Sequence, residues 1–273
     1  MRAQILEWLQ MMSTSDVLLT FGFSTLSHRV KNLTLPQSAE NREFIVLVQN
    51  PNEESYVFNT PHSKLVELKS RGVAKSRNAA LKYASGKYLI FGDDDITFDE
   101  NGISKLIGYF ESHPECSIIL AQTSDETGEL RKSYPTKSHK LTKYNSAKAA
   151  TYEMMVRTDA IRVAGVTFDE SFGAGAENFL GDEYIFIADA INRGLHGVFL
   201  PIRVAIHPKE SSGSTWGTPR DLTARAAVFS RVFGVTAPIF RALFLLKSRK
   251  GRVSFVNAVR FILADEDICA SRF

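Results

Sequence analysis

Three consecutive carboxylates, Asp93-Asp94-Asp95, follow an apolar run, Tyr88 to Phe91, and a single glycine, Gly92. Residues two apart in an extended segment point the same way, so Asp93 and Asp95 can converge on one ligand. Adjacent carboxylates repel one another unless a cation or water lies among them. Their hard oxygens suit Mg2+ or Mn2+, ions that keep positions open for substrate phosphates. A solvated acidic loop is the other reading. The position at a strand end favours the metal, because open α/β sheets bind ligands beyond the carboxyl ends of their strands.

Three further segments can act with the triplet. Arg71-Gly72-Val73-Ala74-Lys75-Ser76-Arg77-Asn78 reads as a glycine turn entering a helix. Such a start offers unpaired N–H groups to an anion, and Lys75 and Arg77 add positive charge beside a diphosphate. Phe168 to Ala176, followed by Gly181-Asp182-Glu183, reads as a glycine-rich loop that wraps a ligand and opens a helix. Acidic residues at a helix start also favour the macrodipole without any catalysis. His207-Pro208 closes the last strand, where a histidine is either a structural hydrogen-bonding residue or a ligand. Ser211 to Ser214 then form a polar loop able to contact phosphate or sugar hydroxyls.

The elements that must carry these groups show in the pattern of apolar residues. Val17–Phe21, Ile45–Val48, Tyr88–Phe91 and Ile118–Ala121 are short apolar runs, as expected for strands buried on both faces of a mostly parallel sheet. Helical spacing falls between them at Ser27–Asn32, Val73–Ala84 and Gly102–Ser112, which implies βαβ units and an open α/β sheet. Beyond about residue 122 the alternation breaks. Asp125 to Ser146 reads as a polar hairpin or loop, Thr151–Val156 and Val198–Ile206 as strands, and Glu183–Asn192 as a helix. The expected organisation is an α/β domain over residues 1–215, with nucleotide-binding (15–122) and acceptor (123–215) halves, and a basic helical region over 216–273.

Composition narrows the class. The chain has 273 residues, 44% hydrophobic and 23% charged, which excludes low-complexity disorder and a disulfide scaffold. Cys116 and Cys269 lie too far apart for a zinc or redox motif and read as thiols of a reducing compartment. The net charge of +3 is too small to argue for nucleic acid. From Arg220 onward, however, 10 Lys/Arg face 4 Asp/Glu. Met1–Met12 reads as a short amphipathic helix interrupted by Glu7 and Gln10, not a secretion signal. The run Val228–Leu246 contains Arg231, Pro238 and Arg241, so no transmembrane helix is expected.

Taken in order, GVAKSRNAALKYASGKYLIFGDDDITFDENGI (Gly72 to Ile103), FDESFGAGA, GDE and His207 resemble the signature of family 2 glycosyltransferases with the GT-A fold. The resemblance spans residues 15–215. It implies that Asp93 and Asp94 lie close to the nucleotide's ribose or the metal. It makes Asp95 the principal metal ligand, with Asp93 and His207 beside the same Mn2+ or Mg2+. Arg77 and Lys75 then face the uracil or diphosphate, and Phe21, Gln49 and Asn50 complete the nucleotide side. Glu183, supported by Asp182, becomes the catalytic base.

Two departures bear on this. The acidic pair reads Asp182-Glu183 where the family writes Glu-Asp, so either residue can be the base. Gln49-Asn50 stand where the family has an aspartate, although an amide carbonyl still accepts a uracil N3–H.

The implied chemistry is an inverting, metal-dependent transfer from a UDP-sugar to a hydroxyl of a glycan or lipid-linked saccharide in surface polysaccharide synthesis. The expected location is the cytoplasm, with peripheral contact at the membrane as one reading of the basic tail. That tail (Phe229 to Arg252) docks on an anionic surface, packs on the catalytic domain, or meets a second subunit. Trp216 stacks on a sugar ring or belongs to a core. A sugar nucleotidyltransferase and a non-catalytic sugar-nucleotide-binding scaffold are the rival readings. The first calls for a glycine-rich phosphate loop near strand one, which Thr20-Phe21-Gly22-Phe23 is not.

Overall fold

The computed structural model describes residues 17–49, 61–208, 216–248 and 253–264. The Met1–Met12 helix, Asn50, Ser211–Ser214, Arg249, Lys250, Arg252 and Cys269 fall outside them. The strands are β1 (Leu19–Leu26), β2 (Arg42–Gln49), β3 (Ser63–Leu68), β4 (Tyr88–Asp93), β5 (Thr97–Phe98), β6 (Cys116–Ser124), β7 (His139–Lys140), β8 (Met154–Arg157) and β9 (His196–Ile206). All belong to one sheet, ordered β3-β2-β1-β4-β8-β6-β9-β5, with β7 on β9. The first four strands are mutually parallel, β8 enters antiparallel between β4 and β6, and β9 returns parallel to β6.

The continuous apolar runs form strands because both faces of the sheet are covered. On β4, Leu89 and Phe91 enter one core with Ala80 and Leu81 of α1 (Val73–Tyr83) and Phe186 and Ala190 of α4 (Asp182–Asn192). Tyr88 and Ile90 point the other way. They pack with Ile103, Leu106 and Phe110 of α2 (Glu100–Ser112). α2 starts where the Asp99 carboxylate accepts the Gly102 N–H at 3.0 Å, and Arg203 of β9 binds the same side chain at 2.6 Å.

Gly102 is required by contact. A Cβ there would lie 2.0 Å from the Arg203 carbonyl oxygen, so α2 or β9 would have to move. Gly102→Ala is expected to lower the unfolding free energy by about 1–3 kcal/mol, read as a reduced midpoint at unchanged m-value.

Ser27–Asn32 is a 3-10 turn, not an α-helix. Thr151–Glu153 is also a 3-10 turn, and the strand expected there begins at Met154. The 125–146 segment closes through a Ser124–Leu130 bridge and β7. A short helix, α3 (Thr158–Val163), follows β8.

The basic C-terminal region is helical as read: α5 (Pro219–Phe233), α6 (Ala237–Lys247) and α7 (Phe255–Ile262). By length and composition Pro219–Lys247 could cross a membrane. It is nonetheless interrupted by a 3-10 turn, Gly234–Thr236, and α5 is packed on the α/β domain. Val228, Val232 and Phe233 join Tyr184, Ile185 and Ala188 of α4, and Arg231 binds Asp169 at 2.9 Å and Asp189 at 2.7 Å. Trp216 lies edge-on to Phe244 under Arg225, within this helical cluster.

Candidate active site

The carboxyl end of β4 carries the acidic triplet, and its three side chains take different partners. Asp94 points back into the protein. It accepts the Thr25 hydroxyl at 2.7 Å and pairs with Arg29 at 2.5 Å, with its side chain buried. β4 ends at Asp93 and the chain turns over Asp94 and Asp95, closing with the Ile96 N–H on the Asp93 carbonyl at 3.4 Å, so the three carboxylates leave in different directions. Asp94 therefore fixes β4 to β1 and is not turned toward a ribose or metal. Desolvation pushes its carboxyl above the ordinary value, and Thr25 and Arg29 pull the other way.

Asp93 and Asp95 remain partly exposed. Asp93 lies 3.9 Å from Arg77, and Asp95 lies 3.9 Å from His207 Nε2 and 3.5 Å from Arg29. His207 Nδ1 contacts the Pro208 carbonyl at 2.8 Å. A carbonyl only accepts, so Nδ1 donates to it, and Nε2 is the nitrogen turned to Asp95 and free to serve as a ligand in the neutral ring. Asp95 and His207 are thus a fitting pair of donors for a divalent ion that draws its other ligands from phosphate and water. Asp93 is turned to Arg77 instead. Among the described residues no three His, Cys, Asp or Glu side chains gather as a metal-binding group.

Arg77 connects the two halves of the site. It rises from α1, is buried, and its Nη1 donates to the Asp182 carboxylate in a short contact and to Glu183 at 3.3 Å. Its Nη2 lies toward Asp93, and its guanidinium sits 5.8 Å from the Phe168 ring centre. Burial opposes the charge, but three carboxylates hold Arg77 protonated. The guanidinium is consumed in the protein, not turned to a uracil or diphosphate as read from sequence. Lys75 is half-buried beside Gly72.

The helix start is less open to an anion than expected. Gly72 N–H donates to Gln49 Oε1 at 2.9 Å, and Val73 N–H donates to the Ala174 carbonyl at 2.9 Å. Gln49 thereby spends its amide oxygen on the turn, in place of a nucleobase. Phe21 is also displaced from the nucleotide side. β1 runs on to Leu26, so Phe21 sits mid-strand in the core, 5.3 Å from the rings of Phe44 and Phe98. The end of β1 that reaches the site carries Thr25.

The acidic pair opens α4, under a loop held by Asn78. That side chain exchanges hydrogen bonds with the Phe168 backbone at 2.8 and 3.0 Å. Gly173, at φ 95°, passes so close that a Cβ would lie 2.7 Å from Asp182 Oδ1. The Asp182 side chain is 3% exposed and that of Glu183 is 21% exposed. Burial, then the Glu183 charge, push the Asp182 carboxyl up to about 7, even though it has the closer contact with Arg77. Burial acts the same way on Glu183, but Arg77 and the Thr151 hydroxyl, at 2.9 Å from Oε1, hold Glu183 below its usual value. The two carboxyls titrate as a pair, in which Asp182 is pushed toward protonation and Glu183 is held toward ionisation.

Thr25, Arg29, Thr151 and Tyr152 are site residues that sequence reasoning missed. The Tyr152 ring lies 5.1 Å from that of His207, and Glu153 is buried against Lys132, at 2.9 Å, and the Tyr134 hydroxyl. For Thr151 and Tyr152 the sequence signal is the polar start of what reads as a strand.

A sheet of this order, with acids, a histidine and a carboxylate-bound arginine gathered at the strand ends, defines a GT-A glycosyltransferase. The chain belongs to glycosyl transferase family 2, whose profile matches residues 32–169. The match contains Arg77 and the aspartate triplet and ends before Asp182, Glu183 and His207. Solved structures of S. aureus TarS share the fold. The TarS 1–349 complex with UDP aligns with TM-score 0.55 and 14% identity, covering 84% of this chain and 70% of that one. The TarS 1–349 complex with UDP-GlcNAc aligns with TM-score 0.58 and 13% identity, over 84% and 71%. TarS 1–349 without a named ligand gives 0.58 and 12%, over 90% and 81%. No curated protein matches the sequence.

Proposed function

We propose that this glycosyltransferase moves a sugar from a UDP-sugar to a hydroxyl of a glycan or lipid-linked saccharide, with inversion, at the cytoplasmic face of a membrane. The observation that carries the reading is the acidic pair. Asp182 is sealed against Arg77, while Glu183, one residue on, keeps 21% of its side chain exposed, and Arg77 links both carboxylates to Asp93 of the triplet. The TarS complexes with UDP and UDP-GlcNAc support the nucleotide-sugar donor.

In this mechanism Glu183 takes the proton of the acceptor hydroxyl as its oxygen attacks the anomeric carbon. The bond from that carbon to the diphosphate breaks, and its electron pair leaves with the nucleoside diphosphate. Thr151 orients the Glu183 carboxylate, and Arg77 keeps it ionised. Asp95 and His207 would hold Mn2+ or Mg2+, which offsets charge on the diphosphate when bound. Asp182 acts through Arg77 and does not meet the acceptor.

The donor side is tested by thermal unfolding. UDP with Mn2+ is expected to raise the melting temperature, with each component alone giving less, and Asp95→Ala is expected to remove the synergy. An equal shift from UDP without metal, unchanged in Asp95→Ala, would overturn the assignment of the pair. Release of pyrophosphate from a nucleoside triphosphate and a sugar phosphate would favour nucleotidyl transfer instead.

A further inference from the structure

We infer that the outer face of α6 and α7 docks on an anionic lipid surface. The two helices pack together through Phe244, Leu245 and Phe261, and the buried Arg241 guanidinium ties them by donating to the Ile262 and Ala264 carbonyls. With those side chains turned inward, large apolar residues are left outside. On α6 these are Ile239, Leu243 and Leu246, spaced as one stripe of a helix, and on α7 they are Phe255, Val256 and Val259. Leu246 and Phe255 are each 82% exposed. Single exposed apolar residues are ordinary, but two stripes on adjoining helices mark an interaction face.

Charge selects the occupant. From Leu222 to Ala264 the sequence has no Asp or Glu and eight Lys/Arg. Three of the eight are used internally. Arg225 pairs with Asp221, Arg231 with Asp169 and Asp189, and Arg241 is buried on backbone carbonyls. Lys247 at the end of α6 and Arg260 on α7 are exposed, with no carboxylate in ion-pair range among the described residues.

A two-fold contact between copies would set this cationic face against itself, because an isologous interface pairs each patch with the same patch. A leaflet rich in anionic headgroups complements it and accepts the apolar stripes below the headgroups. Interfacial helices combine these two features, and the α5–α4 contacts tie this helical face to the α/β domain.

The test is flotation of the full chain with vesicles of phosphatidylcholine alone or with about a quarter phosphatidylglycerol, together with light scattering for oligomeric state. The protein is expected to float with the anionic vesicles at physiological salt and to be released at about 1 M salt. Leu246→Asp/Phe255→Asp and Lys247→Glu/Arg260→Glu are each expected to weaken binding about tenfold or more, with unfolding midpoint and transfer to a soluble acceptor unchanged. The charge-reversal pair replaces two exposed side chains that belong to no apolar cluster and so serves if the first pair misfolds. Failure to float with anionic vesicles, or equal flotation with phosphatidylcholine alone, would overturn the inference. So would a dimer abolished by Leu246→Asp/Phe255→Asp in a protein that ignores vesicles.

Discussion

A Glu183→Gln protein is expected to bind UDP as the parent does and to transfer sugar about 10²–10⁴-fold more slowly, the range for losing a general base. Glutamine keeps the length of the side chain, and its amide oxygen still accepts from Thr151 and Arg77, so the opening of α4 is preserved. It lacks the basicity to take a proton. Asp182→Asn provides the contrast: that carboxyl is sealed against Arg77, and its loss alters the setting of Glu183 without removing the base. Single-turnover transfer, read beside a UDP thermal shift, separates chemistry from binding. Equal rates for Glu183→Gln and parent would sink the assignment.

Arg77→Met is expected to cost about 3–5 kcal/mol of stability at neutral pH, because it strands Asp182 and Glu183 without their counter-charge. The deficit should shrink in acid. Without the guanidinium, the carboxyls are raised in the folded state above their unfolded values, so the folded protein binds more protons. Protonation-linked stability is then present at low pH and lost as pH rises through the folded values. Denaturant midpoints at about pH 5 and about pH 8 measure this, and a deficit independent of pH would contradict it. Arg77→Lys is expected to recover only part, since an ammonium lacks the fork that spans Asp182, Glu183 and Asp93.

How far the sequence reveals such an arrangement depends on whether a residue's job follows a period. β1, β2, β4 and β6 were legible because strands buried on both faces show as unbroken apolar runs, and α1 and α2 because their inward residues recur at helical spacing. β3 was not, because its exposed Lys64 and Glu67 break the apolar signal of an edge strand. Assigning Phe21 to the nucleotide side followed from ending β1 there. The strand continues through Gly22 to Leu26, which moves its functional end to Thr25. The triplet, Arg77 and the Asp182-Glu183 pair stood out as clustered charge at element ends. Thr25, Thr151 and Tyr152 act through a single hydroxyl or ring each, and no spacing announces a lone contact between elements far apart in sequence.

The turn Thr151–Glu153 has a consequence for how enzymes of this build can vary. Its three successive residues meet Glu183, the His207 ring, and the Lys132–Tyr134 anchor of the 125–150 segment. One added or deleted residue in the turn would put all three out of step at once. Changes of length upstream of the anchor would leave it in register. The polar loop can therefore be lengthened or trimmed while the contacts of the turn with Glu183 and His207 stay in place.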